Sequence, residues 1–274
     1  MNELKVKTNF RDIYTQNSPY EYLKEMDRLE YRIADSTKPL YNSIIEQLEE
    51  TLSRHINILD LGSSYGINSA LIKYNLTMLE LNNFFLTETK PTKKETKQFY
   101  KEYKNKDNIN FYQIDISKEA LKFSEEMNLC VRGINVDLEI EKLKLPELLA
   151  KMDLVIATGC VGYIGYKAFF NLLKVIKNRQ LNSKKSEKEY VSPIFAFSVL
   201  RMFDMNDIKE IFEMYDYSIV KSDIKPIHQR SFSNVKEKTQ TISLLHEMKI
   251  DTKKYEDTGN FYADFYIARS KNST

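Results

Sequence analysis

Apolar and polar positions along this chain switch between two periods. Up to residue 53 they recur at helical spacing. SPYEYLKEMDRLEYRIAD carries a cap at Ser18 and Pro19 in the first turn, and KPLYNSIIEQLEETL continues the pattern. INILDLG (56–62) breaks the period with a short apolar run that includes β-branched residues, which predicts a strand, and INSALIKYNL after it returns to helix. Residues 75–107 are less regular, with two charged helical segments on either side of Pro91, and read as an insertion or lid. NINFYQIDIS (108–117), CVRGINVDLE (130–139), DLVIATGCVGYIG (153–165) and SPIFAFSVLRMF (192–203) are then predicted as strands. KEALKFSEEMNL, KLKLPELLAKM, KAFFNLLKVIKNRQL and MNDIKEIFEMY follow them as helices. The polar run NSKKSEKEY reads as a solvated loop. YSIVKSDIK and FYADFYIARS supply two late strands, with a helix over VKEKTQTISLLHEM between or beside them.

This alternation predicts an α/β fold with a doubly wound, mostly parallel, seven-stranded sheet. An N-terminal helical cap covers 1–53, and the main domain runs over 54–274 with the insertion at 75–107. Ligands of such sheets bind outside the carboxyl ends of the strands. Glycine marks two of those ends. The chain has only seven glycines, and five of them (Gly62, Gly66, Gly159, Gly162 and Gly165) fall in two short loops that each follow an apolar strand. Glycine costs backbone entropy, so this clustering favours a ligand site over ordinary turns.

The first loop, DLGSSYG, does not fit a phosphate cradle. Its glycines are spaced G-x-x-x-G, whereas a dinucleotide fingerprint needs G-x-G-x-x-G and a Walker loop needs a lysine after its last glycine. The loop instead resembles the first motif of class I S-adenosylmethionine (SAM)-dependent methyltransferases, an acidic residue followed by GxGxG. Asp60, Gly62 and Gly66 match, and Ser64 stands where the middle glycine is commonest. The wording LDLGSSYGIN…TGCVGY…VLRMF, with Tyr31, Ile33, Lys38 and Pro39 as a Y-x-I…KP element, is similar to a bacterial subgroup of small-molecule type.

The resemblance implies a Rossmann-like fold, SAM as cofactor and S-adenosylhomocysteine as product. It implies that Asp60, Gly62, Ser63, Ser64 and Gly66 form the floor of the cofactor pocket. Asp115, with Ile116, would hold the ribose hydroxyls, since a carboxylate accepts two hydrogen bonds from a diol. Asp137 would reach the adenine amino group with Leu138 against the ring, and Thr158 and Gly159 would complete the pocket. Taken singly, each acid is also what a helix cap uses. The N/D-P-P-Y/F motif of many DNA and protein N-methyltransferases is absent from the second loop. Tyr163 and His228 are the candidate catalytic residues, one to orient an acceptor and one as a base, although a lone histidine also serves structure. Tyr31, Lys38, Cys160, Arg201 and Arg230 are candidate acceptor contacts, the arginines because guanidinium pairs with carboxylate or phosphate. Tyr14, Tyr20, Tyr22, Tyr31 and Tyr41 form a candidate lid, or else helix packing.

Composition narrows the partners. Apolar residues make up 42% of 274, enough for a proper core. Lys+Arg 41 against Asp+Glu 39 leaves +2, which supports no nucleic-acid field. The opening MNELKVKTNFRDIY lacks the apolar core of a signal peptide, and no apolar run is long enough to span a membrane. Two unpaired cysteines and three scattered histidines give no disulfide framework and no metal site. The expectation is a cytoplasmic methyltransferase with a small-molecule acceptor, an anionic one if the arginines are its contacts. A protein or RNA methyltransferase, a SAM-binding protein without turnover, and an NAD-dependent enzyme are the competing readings.

Overall fold

The centre of the molecule is β1 (Ile56–Leu61), which is buried on both faces. Side chains alternate across a strand. Ile56 and Ile58 therefore enter one core and Leu59 and Leu61 the other. The computed structural model describes residues 11–140, 143–183 and 191–271. The first ten residues, positions 141–142, most of the polar run (184–190) and positions 272–274 lie outside them, and with them most of the signal-peptide and loop expectations.

In chain order, α1 (Tyr20–Arg28) and α2 (Ile33–Thr51) precede β1, and α3 (Ile67–Lys73) follows it. The insertion contains α4 (Met78–Phe85) and α5 (Lys93–Lys101). Both are opened by capping boxes, Thr77 with Glu80 and Thr92 with Glu95, which satisfy the first free amides. Then come β2 (Ile109–Asp115), α6 (Lys118–Glu126), β3 (Arg132–Asn135), β4 (Leu154–Ala157) and α7 (Val161–Ser183). The chain closes with β5 (Ile194–Leu200), α8 (Asn206–Met214), β6 (Tyr217–Lys221), β7 (Ile227–Ser231), α9 (Val235–Glu247) and β8 (Asn260–Ser270).

The sheet order is β3-β2-β1-β4-β5-β8-β6, with β7 pairing β8 beside that path. The first five strands pair in parallel, and β6, β7 and β8 join antiparallel. This is the Rossmann-like, doubly wound, mostly parallel sheet expected, with one correction: it has eight strands. IHQRS carries almost no apolar alternation, and it becomes strand β7 only by pairing with the first residues of β8. A second difference concerns KLKLPELLAKM, read as a helix. Its described part holds only a 3-10 turn at Glu147–Lys151, which begins after Pro146.

Helix α2 packs Tyr41, Ile44, Ile45 and Leu48 on one face of the sheet, and α7 packs Phe169, Leu172, Leu173 and Ile176 on the other. A third cluster joins α1 to α3, the inserted α4 and α5, and α6. The insertion thus buttresses α1. Lys90 pairs with Glu21, Asn82 bonds Asp27, and Asp35 accepts from the Met78 amide. Among the described residues no helix is long and apolar enough to cross a membrane.

Candidate functional site

The loop after β1 turns on three left-handed residues in alternation: Gly62 at φ +64°, Ser64 at +51° and Gly66 at +75°. Glycine adopts this conformation at no steric cost, whereas Ser64 is strained. The loop is fastened to β2. The amides of Gly62 and Ser63 both donate to the Ile114 carbonyl (2.8 and 3.2 Å), and the Ser64 amide donates to Asp115 Oδ2 at 2.7 Å. A Cβ on Gly66 would meet Ser124 Oγ at 2.5 Å and Gln113 Nε2 at 2.8 Å, so Gly66 works against α6 and β2, behind the loop. In front of it lies a cavity of about 590 Å³, at the carboxyl ends of β1 to β4, with Gly62, Ser63 and Ser64 in its wall. The hydroxyls of Ser63 and Ser64 are buried with no partner among the described residues. Both residues line the cavity, and two orphaned polar atoms beside it suit a polar ligand.

The three acids take different positions. Asp60 is fully buried, receives Asn68 Nδ2 at 3.2 Å on both oxygens, and stays behind the cavity wall. Asp115 and Asp137 are in the wall. Each Asp115 oxygen holds one amide, Ser64 N on Oδ2 and Ser117 N (2.8 Å) on Oδ1, which leaves each a free lone pair. Burial raises the Asp115 pKa and these amides oppose the shift. Asp137 caps its own turn through the Glu139 amide at 2.9 Å. Ile116, Val136 and Leu138 give the wall an apolar flank beside it.

Burial pushes the Asp60 carboxyl up to about 8, with Asn68 opposing and Asp115 adding to the rise. The folded chain then keeps a proton that the unfolded chain releases in the ordinary carboxylate range. Stability from this group is full below that range and is lost as pH rises through the window up to about 8. Asp60→Asn, which cannot ionise, should flatten this slope. Melting followed at about pH 6 and about pH 8 should fall further in the wild type, by on the order of 2 kcal/mol of stability. Equal slopes in the two chains would refute the assignment, since Asp115 and the other acids are common to both.

The second glycine loop meets the first. A Cβ on Gly62 would lie 2.8 Å from Cys160 Cβ, and the Cys160 thiol donates to the Leu61 carbonyl at 3.0 Å. Thr158 Oγ1 and the Tyr41 hydroxyl are 2.7 Å apart, and the Gly159 amide donates to Ser198 Oγ at 3.1 Å. Helix α7 starts at Val161, earlier than the sequence predicts, and is broken at Gly165 (φ +60°, ψ −168°). Thr158, Gly159, Cys160 and Tyr163 all reach the cavity wall.

Above the sheet, Tyr14, Tyr22 and Tyr31 line the cavity, whereas Tyr20 and Tyr41 do not. Tyr41 is buried in the core beside Phe265, and the Tyr20 ring carries Lys90 Nζ at 4.1 Å. The segment bearing Tyr14 is strapped down by the Tyr65 hydroxyl, which receives the Gln16 amide, and by Ser117 Oγ on the Tyr14 carbonyl. Burial raises the phenols of Tyr14, Tyr22, Tyr31 and Tyr163.

Several expected acceptor contacts lie elsewhere. Lys38 donates to the Leu76 carbonyl at 2.9 Å, tying α2 to the insertion. Arg201 is locked to Glu256 at 2.8 Å and stacks over Tyr255 at 4.4 Å. His228 is half-buried beside Tyr262, outside the wall. Arg230 does reach the wall, but its fork is closed on Glu237 (2.8 and 3.1 Å), with both side chains buried. Neither arginine is therefore an open anion clamp. Among the wall residues that the sequence reading missed are Asn68, Glu139 and Gln229, the last of which is 5% exposed. Gln229 lies on the unforeseen strand β7, so no pattern in the sequence singled it out.

No family model and no curated protein matches the sequence. Among solved structures, the chain is similar to a magnesium protoporphyrin IX methyltransferase (ChlM) from Synechocystis PCC 6803 with bound SAM. The identity is 12%, the TM-score 0.44, and 98% of this chain and 100% of that one are covered. It is also similar to a TehB-like SAM-dependent methyltransferase from Corynebacterium glutamicum, at 10% identity and TM-score 0.36 over 85% and 98% of the two chains. Similarity at this level assigns no residue a role here.

Proposed function

We propose that this chain is a cytoplasmic SAM-dependent methyltransferase acting on a small-molecule acceptor. The observation that carries the reading is a single cavity walled by the unpartnered Ser63 and Ser64 hydroxyls, Asp115 and Asp137. These groups fit the cofactor in order. The free lone pairs of Asp115 suit a ribose diol, Asp137 with Ile116 and Leu138 suits an adenine edge, and the two serines suit the polar amino-acid end. When bound, SAM supplies an activated methyl on sulfur, so the chain has chiefly to orient an acceptor and exclude water. The N-terminal segment and β7 close over the carboxyl ends of the strands, which favours a small acceptor over a protein or RNA. In this reading Tyr163, in hydrogen-bonding contact with Arg230, orients the acceptor.

Titration with S-adenosylhomocysteine is the test. It should raise the melting temperature and give a one-site calorimetric isotherm, and NAD should do neither. No stabilisation by SAM or by S-adenosylhomocysteine would sink the proposal. A SAM-binding protein without turnover would instead bind both and transfer no label to any acceptor.

A further inference from the structure

Strand β7 carries a register shift between His228 and Arg230 against β8. A bulge re-aims side chains and often stands next to a functional site. Here both Gln229 and Arg230 turn into the cavity wall, one after the other. Backbone bonds on both sides hold the bulge against the N-terminal segment. Arg32 N donates to the Gln229 carbonyl at 2.8 Å, and Ser231 N donates to the Leu29 carbonyl at 2.7 Å. The Gln229 carboxamide lies over Gly159, beside the Tyr31 hydroxyl: a Cβ on Gly159 would be 3.5 Å from Gln229 Nε2 and 3.0 Å from the Tyr31 oxygen. Gln229 Oε1 is buried and has no partner among the described residues.

We propose that Gln229 Oε1 accepts a hydrogen bond from the nucleophilic nitrogen of the methyl acceptor, and that the acceptor is a primary or secondary amine on a small apolar body. The proposal rests on the methyltransferase reading above. A carbonyl oxygen only accepts, so its partner must bring an N–H or O–H. A carboxylate or phosphate brings neither, and the guanidinium beside Gln229 is already closed on Glu237. An alcohol would need a base to take its proton as it attacks. The described residues of the wall supply none in position. The phenols and the Cys160 thiol are held protonated by burial, and the wall carboxylates Asp115, Asp137 and Glu139 stand at or after the ends of β2 and β3, on the far side of β1 and β4 from Gln229.

An amine needs no base in the attacking step itself: its ammonium form gives a proton to water beforehand, and the neutral amine then reacts. Its lone pair forms the N–C bond as the C–S pair returns to sulfur, the positive charge passes from sulfur to nitrogen, and the proton leaves afterwards to water. Charge developing on nitrogen is favoured by the Gln229 carbonyl dipole, by the aromatic rings of Tyr14, Tyr22, Tyr31 and Tyr163, and by the acids Asp115, Asp137 and Glu139. This reverses the anionic acceptor that the two arginines suggested from the sequence.

Phenethylamine, phenethyl alcohol and hydrocinnamate, which share one apolar body, separate the possibilities on the full chain. With S-adenosylhomocysteine saturating, the amine should raise the melting temperature further, and the other two should not. With methyl-labelled SAM, label should pass to the amine, and Gln229→Leu should lower its kcat/KM at least tenfold while the S-adenosylhomocysteine Kd stays within twofold. Gln229→Glu, which keeps an acceptor oxygen, should retain binding of the amine. Stabilisation or labelling of the alcohol or carboxylate but not the amine overturns the proposal, as do an unresponsive amine or full activity in Gln229→Leu. A chain that fails to bind S-adenosylhomocysteine fails at the methyltransferase reading itself, which the first titration reads separately.

Discussion

Asp115→Ala should weaken S-adenosylhomocysteine binding by about two orders of magnitude. On the proposed reading its carboxylate accepts two hydrogen bonds from the ribose diol. Each bond to a charged group contributes about 1.5–3 kcal/mol, and about 3 kcal/mol in all is close to a hundredfold in Kd. The same carboxylate also fastens the Ser64 and Ser117 amides, so part of the loss will be structural. Two measurements separate the contributions. The melting temperature of the unliganded variant reads the orphaned amides, each costing about 1–3 kcal/mol, offset by relief of a buried charge. Calorimetry on the folded variant reads the ligand. Asp115→Asn keeps one acceptor oxygen and should fall between the two, near a tenfold loss. A folded Asp115→Ala chain that binds within twofold of the wild type would remove Asp115 from the site.

Why the place of Asp115 in the cavity wall was legible and that of Gln229 was not is a matter of which interactions are local. β1 and β4 are short apolar runs with a glycine within two residues of their ends, β2 ends in Asp115, and burial of both faces is written directly into the apolar runs. The acids at their ends follow from where the strands stop. β7 has no such signature, because its place comes from pairing with β8 some thirty residues later. The arginines fail for a related reason. Nothing in the spacing tells that Arg201 will find Glu256, or that Glu237, seven residues on along α9, will turn back to close the Arg230 fork. Lys38 was similarly consumed by a backbone carbonyl in the insertion. A charged residue near a predicted strand end is a candidate ligand only until its partner is known.

The two glycine loops, read separately from the sequence, meet in one contact, and Gly62→Ala should expose it. The substitution carries two costs. Alanine at φ +64° loses about 1–2 kcal/mol to left-handed backbone, and its Cβ would lie 2.8 Å from Cys160 Cβ and 2.9 Å from Cys160 Sγ. Overpacking of that kind adds about 1–3 kcal/mol, so a total loss of about 2–5 kcal/mol is expected in denaturant unfolding. Cys160 lines the cavity, and a thiol displaced from its Leu61 carbonyl moves into it, so S-adenosylhomocysteine affinity should fall together with stability. Cys160→Gly in the same chain removes the clash and leaves the backbone cost. The double variant should therefore recover about 1–3 kcal/mol relative to the sum of the singles, and much of the affinity with it. A cycle that is additive within about 0.5 kcal/mol would mean that the loops are independent. Ser64 is the counterpart inside the same turn: it bears the left-handed strain that Gly62 avoids, in exchange for a hydroxyl in the cavity wall.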